Sequence, residues 1–205
     1  MWWIAAAVVA IGVTAWGLVV SNVEQAKYEV VESQGDIQIR DYAPMIVAEA
    51  EISGERKEAI NQGFRVIADY IFGNNTRKQN VAMTAPVIQQ PEEKVAMTAP
   101  LTQEGASGRW TVRFVMPANY TMDTLPSPNN AAIKLEKIPS KRFAVIRFSG
   151  RAGEASLEDH TDALNAFVKD KKLNALSPPT YAFFNPPWTL PFLRRNEVMI
   201  EVTAE

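Results

Sequence analysis

The sequence predicts an α+β domain built from two similar halves, each a set of strands carrying one helix, behind an N-terminal transmembrane helix. Three observations predict it. Trp2 to Val20 contains no charged residue. Strand-like and helix-like periodicities alternate along the rest of the chain. A strand followed by Ser-Gly and then a helix occurs twice, at Val47–Gly54 and at Phe143–Gly150.

The first run is long enough to cross a hydrocarbon core of about 30 Å at about 1.5 Å per residue. Trp2, Trp3 and Trp16 lie towards its ends, where amphipathic rings favour the membrane interface. A cleaved signal peptide is the rival reading; it wants a basic start and a small-residue cleavage site, of which Val19-Val20-Ser21 is a weak version. Residues 1–22 are therefore read as an anchor or signal segment, 23–27 as a linker and 28–205 as the domain. The domain is expected outside the cytoplasm, membrane-anchored, or periplasmic or secreted if the segment is cleaved.

Tyr28–Glu32 and Ile37–Arg40 read as a hairpin turning at Gly35-Asp36, and Met45–Ile52 as the next strand. Ser53-Gly54 opens a helix to about Phe72, with Ile60, Phe64, Ile67 and Ile71 at helical spacing and Phe64 expected in the core. Gly73-Asn74-Asn75 ends it, because Gly and Asn accept the left-handed conformation that closes helices. Val81–Pro86 then recurs letter for letter as Val95–Pro100, with Pro91–Lys94 as a turn between the copies. Each proline lacks a ladder N–H, so the repeat reads as an edge or strand-entry device.

Trp110–Met116 reads as a strand with Trp110, Val112, Phe114 and Met116 on one face, ended by Pro117. Ile133–Ile138 follows, with Lys134 and Glu136 towards water. The second helix, about Gly153 to Lys171, places Leu157, His160, Leu164, Phe167 and Val168 on one stripe. Neither half alone buries both its helix stripe and its strand face, so the halves are expected to pair about a pseudo-twofold axis.

Composition removes several function classes. There is no cysteine, hence no thiolate metal site, iron–sulfur cluster or thiol nucleophile, and the single histidine excludes any site of two imidazoles. Lys+Arg 21 against Asp+Glu 23, with no basic run, argues against nucleic acid as a partner. No G-x-S-x-G elbow, phosphate loop or G-x-G-x-x-G is present, and no enzymatic reaction is expected.

Met83-Thr84-Ala85-Pro86, Arg113–Pro117, Phe148-Ser149-Gly150 and Arg194-Arg195-Asn196-Glu197-Val198 together resemble the SOUL family of haem-binding proteins, over almost everything from Tyr28 to Val202. The resemblance implies a distorted antiparallel β-barrel with two helices outside it, and non-covalent binding of haem or related tetrapyrroles in an apolar helix-and-sheet cleft. On that reading Ile60 and Phe64 supply an apolar wall, Arg56, Arg65 and Arg77 supply cations for the carboxylates, and Met83 and Met97 are soft groups near the ring. Read from the residues alone, the same stripe is ordinary core and the cations a solvated face. No metal ligand is assigned. His160 reads as a partly buried, hydrogen-bonded core histidine, and no histidine matches the family's axial one. Arg194, Arg195 and Glu197 read equally well as an ion-pair group closing the last strand. The function expected is haem buffering or transfer at a membrane; the alternative is a small-molecule sensing or protein-interaction module on the same two-repeat build.

Overall fold

The computed structural model describes residues 24–91, 108–186 and 188–203. Among these, no helix is long and apolar enough to cross a membrane. The Trp2–Val20 run and the second copy of the repeat, with Met97, lie outside the described residues.

The strands are β1 (Tyr28–Gln34), β2 (Ile37–Tyr42), β3 (Met45–Ser53), β4 (Val87–Pro91), β5 (Arg109–Val115), β6 (Ile133–Ile138), β7 (Lys141–Phe148), β8 (Thr180–Phe183) and β9 (Asn196–Glu201). Helices α1 (Arg56–Ile71) and α2 (Glu154–Asp170) follow β3 and β7, as the repeated Ser-Gly segments predict. All strands join one antiparallel sheet in the order β1-β2-β7-β9-β8-β4-β5-β3-β6.

The expected halves are present, and they exchange their opening strands. β2 of the first half pairs with β7 of the second, β6 of the second pairs with β3 of the first, and the halves meet at the β4–β8 pair. The barrel is not closed. β1 and β6 each pair on one side only, so the sheet is a curled half-barrel. Both open edges are charged, with Glu29 and Glu32 on β1 and Lys134, Glu136 and Lys137 on β6, which discourages pairing with another strand.

Period-two alternation sorts the side chains. α1 packs with Ala48, Ala50, Val112 and Phe114 of β3 and β5, while α2 packs with Ala144, Ile146, Val198 and Ile200 of β7 and β9. The opposite face holds Tyr42, Val145, Ala182 and Met199. Trp110, Val112, Phe114 and Met116 share the α1 core, as their alternation predicts.

Phe64 is a correction. Expected in the core, it is 37% exposed. The face of α1 that meets the sheet is Ala59, Gly63, Ile67, Tyr70 and Ile71. At Gly63 an added Cβ would lie 2.6 Å from Val112 Cβ, so the bare glycine lets the helix backbone settle onto β5. That contact turns Phe64 to the flank, where its ring sits 5.3 Å from that of Phe114. The short strand β8, between Pro178-Pro179 and Pro186, was not foreseen.

Residues 24–27 are not a free spacer. Gln25 forms a parallel bridge with Ala85, Ala85 N–H donates to Glu24 O at 3.0 Å, and Glu24 Oε1 accepts from Ala118 N–H at 2.9 Å.

Candidate functional site

A cleft opens between the two helices, floored by the central strands. Register places Val87, Gln89 and Pro91 of β4 on the same face as Tyr181 and Phe183 of β8. That face is the helix side, because Val87 packs into the α1 core, Tyr181 into the α2 core, and Gln89 Nε2 donates to Arg56 O at 2.9 Å.

At one end of this floor lies a cavity of about 530 Å³ lined by Arg56, Pro91, Trp110, Leu157, Thr161 and Tyr181, with Glu55, Glu154 and Glu158 on its rim. The helix N-termini converge there: Arg56 Nη2 reaches Ala152 O at 3.5 Å, and neither Glu55 nor Gly153 caps its helix with a side chain. Their first-turn N–H groups, together with a guanidinium, favour a negatively charged group. The rim carboxylates oppose one, Glu55 from the position next to Arg56.

Three buried polar atoms around this point have no hydrogen-bond partner: Arg56 Nε, Gln89 Oε1 and Thr161 Oγ1. Gln89 is wholly buried. An unpaired buried polar atom costs about 1 to 3 kcal/mol, so such atoms are uncommon without a bound group to meet them.

Of the residues expected at the site, Arg56 lines the cavity, and Ile60 and Phe64 follow it at i+4 and i+8 along α1 without lining it. Phe64 meets Phe114, the cross-strand neighbour of Val87, which sets it beside the floor. Arg65 is exposed one position further round the helix. Arg77 lies beyond the far end of α1, with Nη1 donating to Thr124 O at 3.0 Å. Met83 is 37% exposed in the segment leading to β4, next to Thr84, whose hydroxyl donates to Val115 O. The structure thus gathers neither Arg77 nor Met83 with Arg56. Sequence reasoning missed Gln89, Thr161 and Tyr181, since nothing local shows that β4 and β8 will be neighbours.

His160 behaves as a structural histidine. Its ring stacks on Phe148 at 3.9 Å between centroids, and Nδ1 lies 2.6 Å from Ser156 O. Among the described residues no group of His, Cys, Asp and Glu could hold a metal ion. A second cavity, about 420 Å³, lies near Glu24, Met45, Met116 and Tyr120 and touches none of the expected site residues.

On the sheet face away from the helices, Glu197 is wholly buried between two guanidinium groups. Arg40 Nη1 donates to both of its oxygens at 3.0 and 2.9 Å, and Arg195 donates to Oε1 through Nε and Nη2 at 2.9 and 2.7 Å. The expected ion-pair group therefore exists, with Arg40 as a member; Arg194 instead donates to Thr189 O at 2.7 Å. Burial opposes the charge on Arg40, but Glu197 and Tyr42 outweigh it and its pKa lies above the ordinary value.

The domain is of the class in which two helices pack on a curled antiparallel half-barrel. The sequence model of the SOUL heme-binding protein family matches residues 23–201, and the chain belongs to that family. None of the curated proteins compared with the chain matches it. Among solved structures, the EcmrR C-terminal domain is similar with a TM-score of 0.61 at 13% identity, covering 87% of this chain and 99% of that one. EcmrR in its DNA complex within EcmrR-RPo is similar with a TM-score of 0.61 at 12% identity over 82% of this chain; the match spans 57% of the EcmrR chain. An uncharacterized conserved protein from Listeria innocua gives a TM-score of 0.54 at 14% identity, covering 82% of this chain and 92% of that one. These likenesses show a shared fold.

Proposed function

We propose that this chain is a membrane-tethered, non-covalent haem-binding protein that buffers haem or hands it on, with its domain on the extracytoplasmic side. Family membership supports the ligand class. The observation that carries the reading is the cavity lined by Arg56, Trp110, Leu157 and Tyr181, with Arg56 Nε unpaired beside it and Ile60 and Phe64 following Arg56 along α1. Haem is a flat apolar plate with two carboxylates on one edge, and these residues fit it: aromatic and aliphatic side chains line the plate, and Arg56 meets a carboxylate. Haem, when bound, supplies its iron and conjugated ring; the chain supplies the slot, the orientation and the exclusion of water. His160 is committed to Phe148 and Ser156, so binding does not rest on it. Tethering is supported by the uncharged Trp2–Val20 run.

Titration of the chain with haem, followed by absorption, tests this reading. Arg56→Glu is expected to weaken binding about tenfold or more, one charge-assisted hydrogen bond being worth about 1.5 to 3 kcal/mol. Arg77→Glu is expected to leave it nearly unchanged.

One observation favours a second reading. The unpaired Gln89 Oε1 and Thr161 Oγ1 suit a ligand with its own polar groups, as a small-molecule sensing module would bind. Saturable binding of small polar compounds in place of porphyrins would support it.

A further inference from the structure

The connection from β8 to β9 carries four large apolar side chains in water. Trp188 is 69% exposed, Leu190 51%, Phe192 69% and Leu193 54%. The loop is nonetheless held in one shape. Pro191–Leu193 forms a 3-10 turn, Gly150 N–H donates to Pro191 O at 2.9 Å, Arg194 Nε donates to Thr189 O at 2.7 Å, and Arg195 N–H donates to Asn185 Oδ1 at 2.7 Å. A shaped loop that turns apolar groups outward marks a contact surface, since scattered single residues need no explanation but a contiguous patch does.

What the patch meets is indicated by where the N-terminal segment joins the domain. Arg195, at the base of the loop, donates from Nη1 to Gln25 Oε1 at 3.0 Å and from Nη2 to Tyr28 OH at 3.3 Å. Gln25 follows the apolar Trp2–Val20 run by five residues, a span of at most about 17 Å even if fully extended. The run and the loop therefore start from one place on the domain.

Charge fits the same partner. The sequence has no Asp or Glu between Asp170 and Glu197, while Arg194 follows the patch and the exposed Arg151 adjoins Gly150, which anchors it. Aromatic and leucine side chains flanked by arginines match a bilayer interface, where rings sit at headgroup level and cations reach lipid phosphates.

We propose that the Trp188–Leu193 loop dips into the interface of the same bilayer that holds the N-terminal run, as a second membrane contact. This rests only on the tethering part of the proposed function and is independent of haem. Two contacts fix the domain's orientation, because one flexible tether restricts distance without setting direction.

The chain has no cysteine, so a single introduced thiol labels cleanly. The full chain carrying Phe192→Cys, labelled with an environment-sensitive fluorophore, is reconstituted into phosphatidylcholine–phosphatidylglycerol vesicles containing brominated lipid. Leu176→Cys is the control: also apolar and 55% exposed, it bonds to Glu201 at the opposite end of β9 from the loop. The expected result is loss of most of the emission at position 192, with little change at 176; Trp188→Cys serves if Phe192→Cys does not fold. Emission at 192 matching 176, in chain that floats with the vesicles, overturns the loop contact and leaves the tether standing. Chain that does not float overturns both. A label shielded from aqueous iodide but not quenched by brominated lipid means that protein covers the loop, which also overturns the bilayer contact.

Discussion

Arg40 and Glu197 form an ion pair at 2.9 Å with side chains 2% and 0% exposed, joining β2 to β9 on the sheet face away from the helices. Glu197 also takes Arg195, whose guanidinium lies over the Phe184 ring at 3.9 Å, while that of Arg40 lies over the Tyr28 ring at 4.4 Å. One carboxylate thus holds together β2, β9 and the base of the apolar loop. Removing one member of such a group leaves a charge buried without its counter-ion, which is far worse than never having buried the pair.

Glu197→Gln is accordingly expected to destabilise the domain by about 3 to 5 kcal/mol, read as a lower urea midpoint at unchanged slope. A loss under about 1 kcal/mol would mean that water reaches the two arginines.

Asp41 supplies an acid-side dependence. The hydrogen bonds from Arg142, at 2.7 and 2.8 Å, hold its pKa below the ordinary carboxylate value against the opposing effect of burial. Between the folded and unfolded values the unfolded chain binds more protons, so this contribution is present above about pH 4 and disappears as pH falls through the folded pKa. Asp41→Asn is expected to lower stability modestly at pH 7 and to flatten the profile below pH 4, so that the two proteins converge once Asp41 is protonated. The pair is partly exposed, and the effect should shrink in high salt.

Tyr42 supplies the alkaline counterpart. Burial first, and Glu197 second, push its hydroxyl pKa up to about 12. The neutral phenol is favoured in the folded state, so its contribution is complete below pH 10 and is lost as pH rises through 12. Two units correspond to on the order of 2 to 3 kcal/mol. Tyr42→Phe should therefore make stability less steep between pH 10 and 12, as followed by far-UV circular dichroism.

Gly63→Ala is expected to destabilise by about 1 to 3 kcal/mol, because the new methyl group enters the space of Val112. Val112→Ala should recover part of that loss in the double variant, as coupled neighbours do. Additive losses in a double-mutant cycle would place the strain elsewhere.

The fold was largely legible because local signals carried it. The hairpin at Gly35-Asp36, both helices and the repeated Ser-Gly segments are short-range patterns, and each appears where the periodicity puts it. The failures are long-range. Phe64 has the right spacing for a core residue, yet Gly63 brings α1 so close to β5 that the contact stripe rotates away from it. The barrel's open seam depends on which strands end as edges, and no single strand encodes that. At the site, the sequence grouped residues by helix and so proposed Arg56, Ile60 and Phe64, of which Arg56 lines the cavity. Gln89, Thr161 and Tyr181 come from β4, α2 and β8, far apart in the chain, and only the β4–β8 pairing unites them. The Arg195–Glu197 pair was readable from its spacing of two at the start of β9; Arg40, 157 residues before Glu197, was not.

Haem titration of the full chain beside His160→Ala and Arg56→Glu tests the central claim most directly, because the three proteins separate cleft binding from iron ligation. Saturable binding is expected in the native chain, nearly the same affinity and Soret band in His160→Ala, and affinity lower by about tenfold or more in Arg56→Glu. Binding that disappears with His160 and is untouched by Arg56, or no saturable binding of any porphyrin at micromolar concentration, would contradict it.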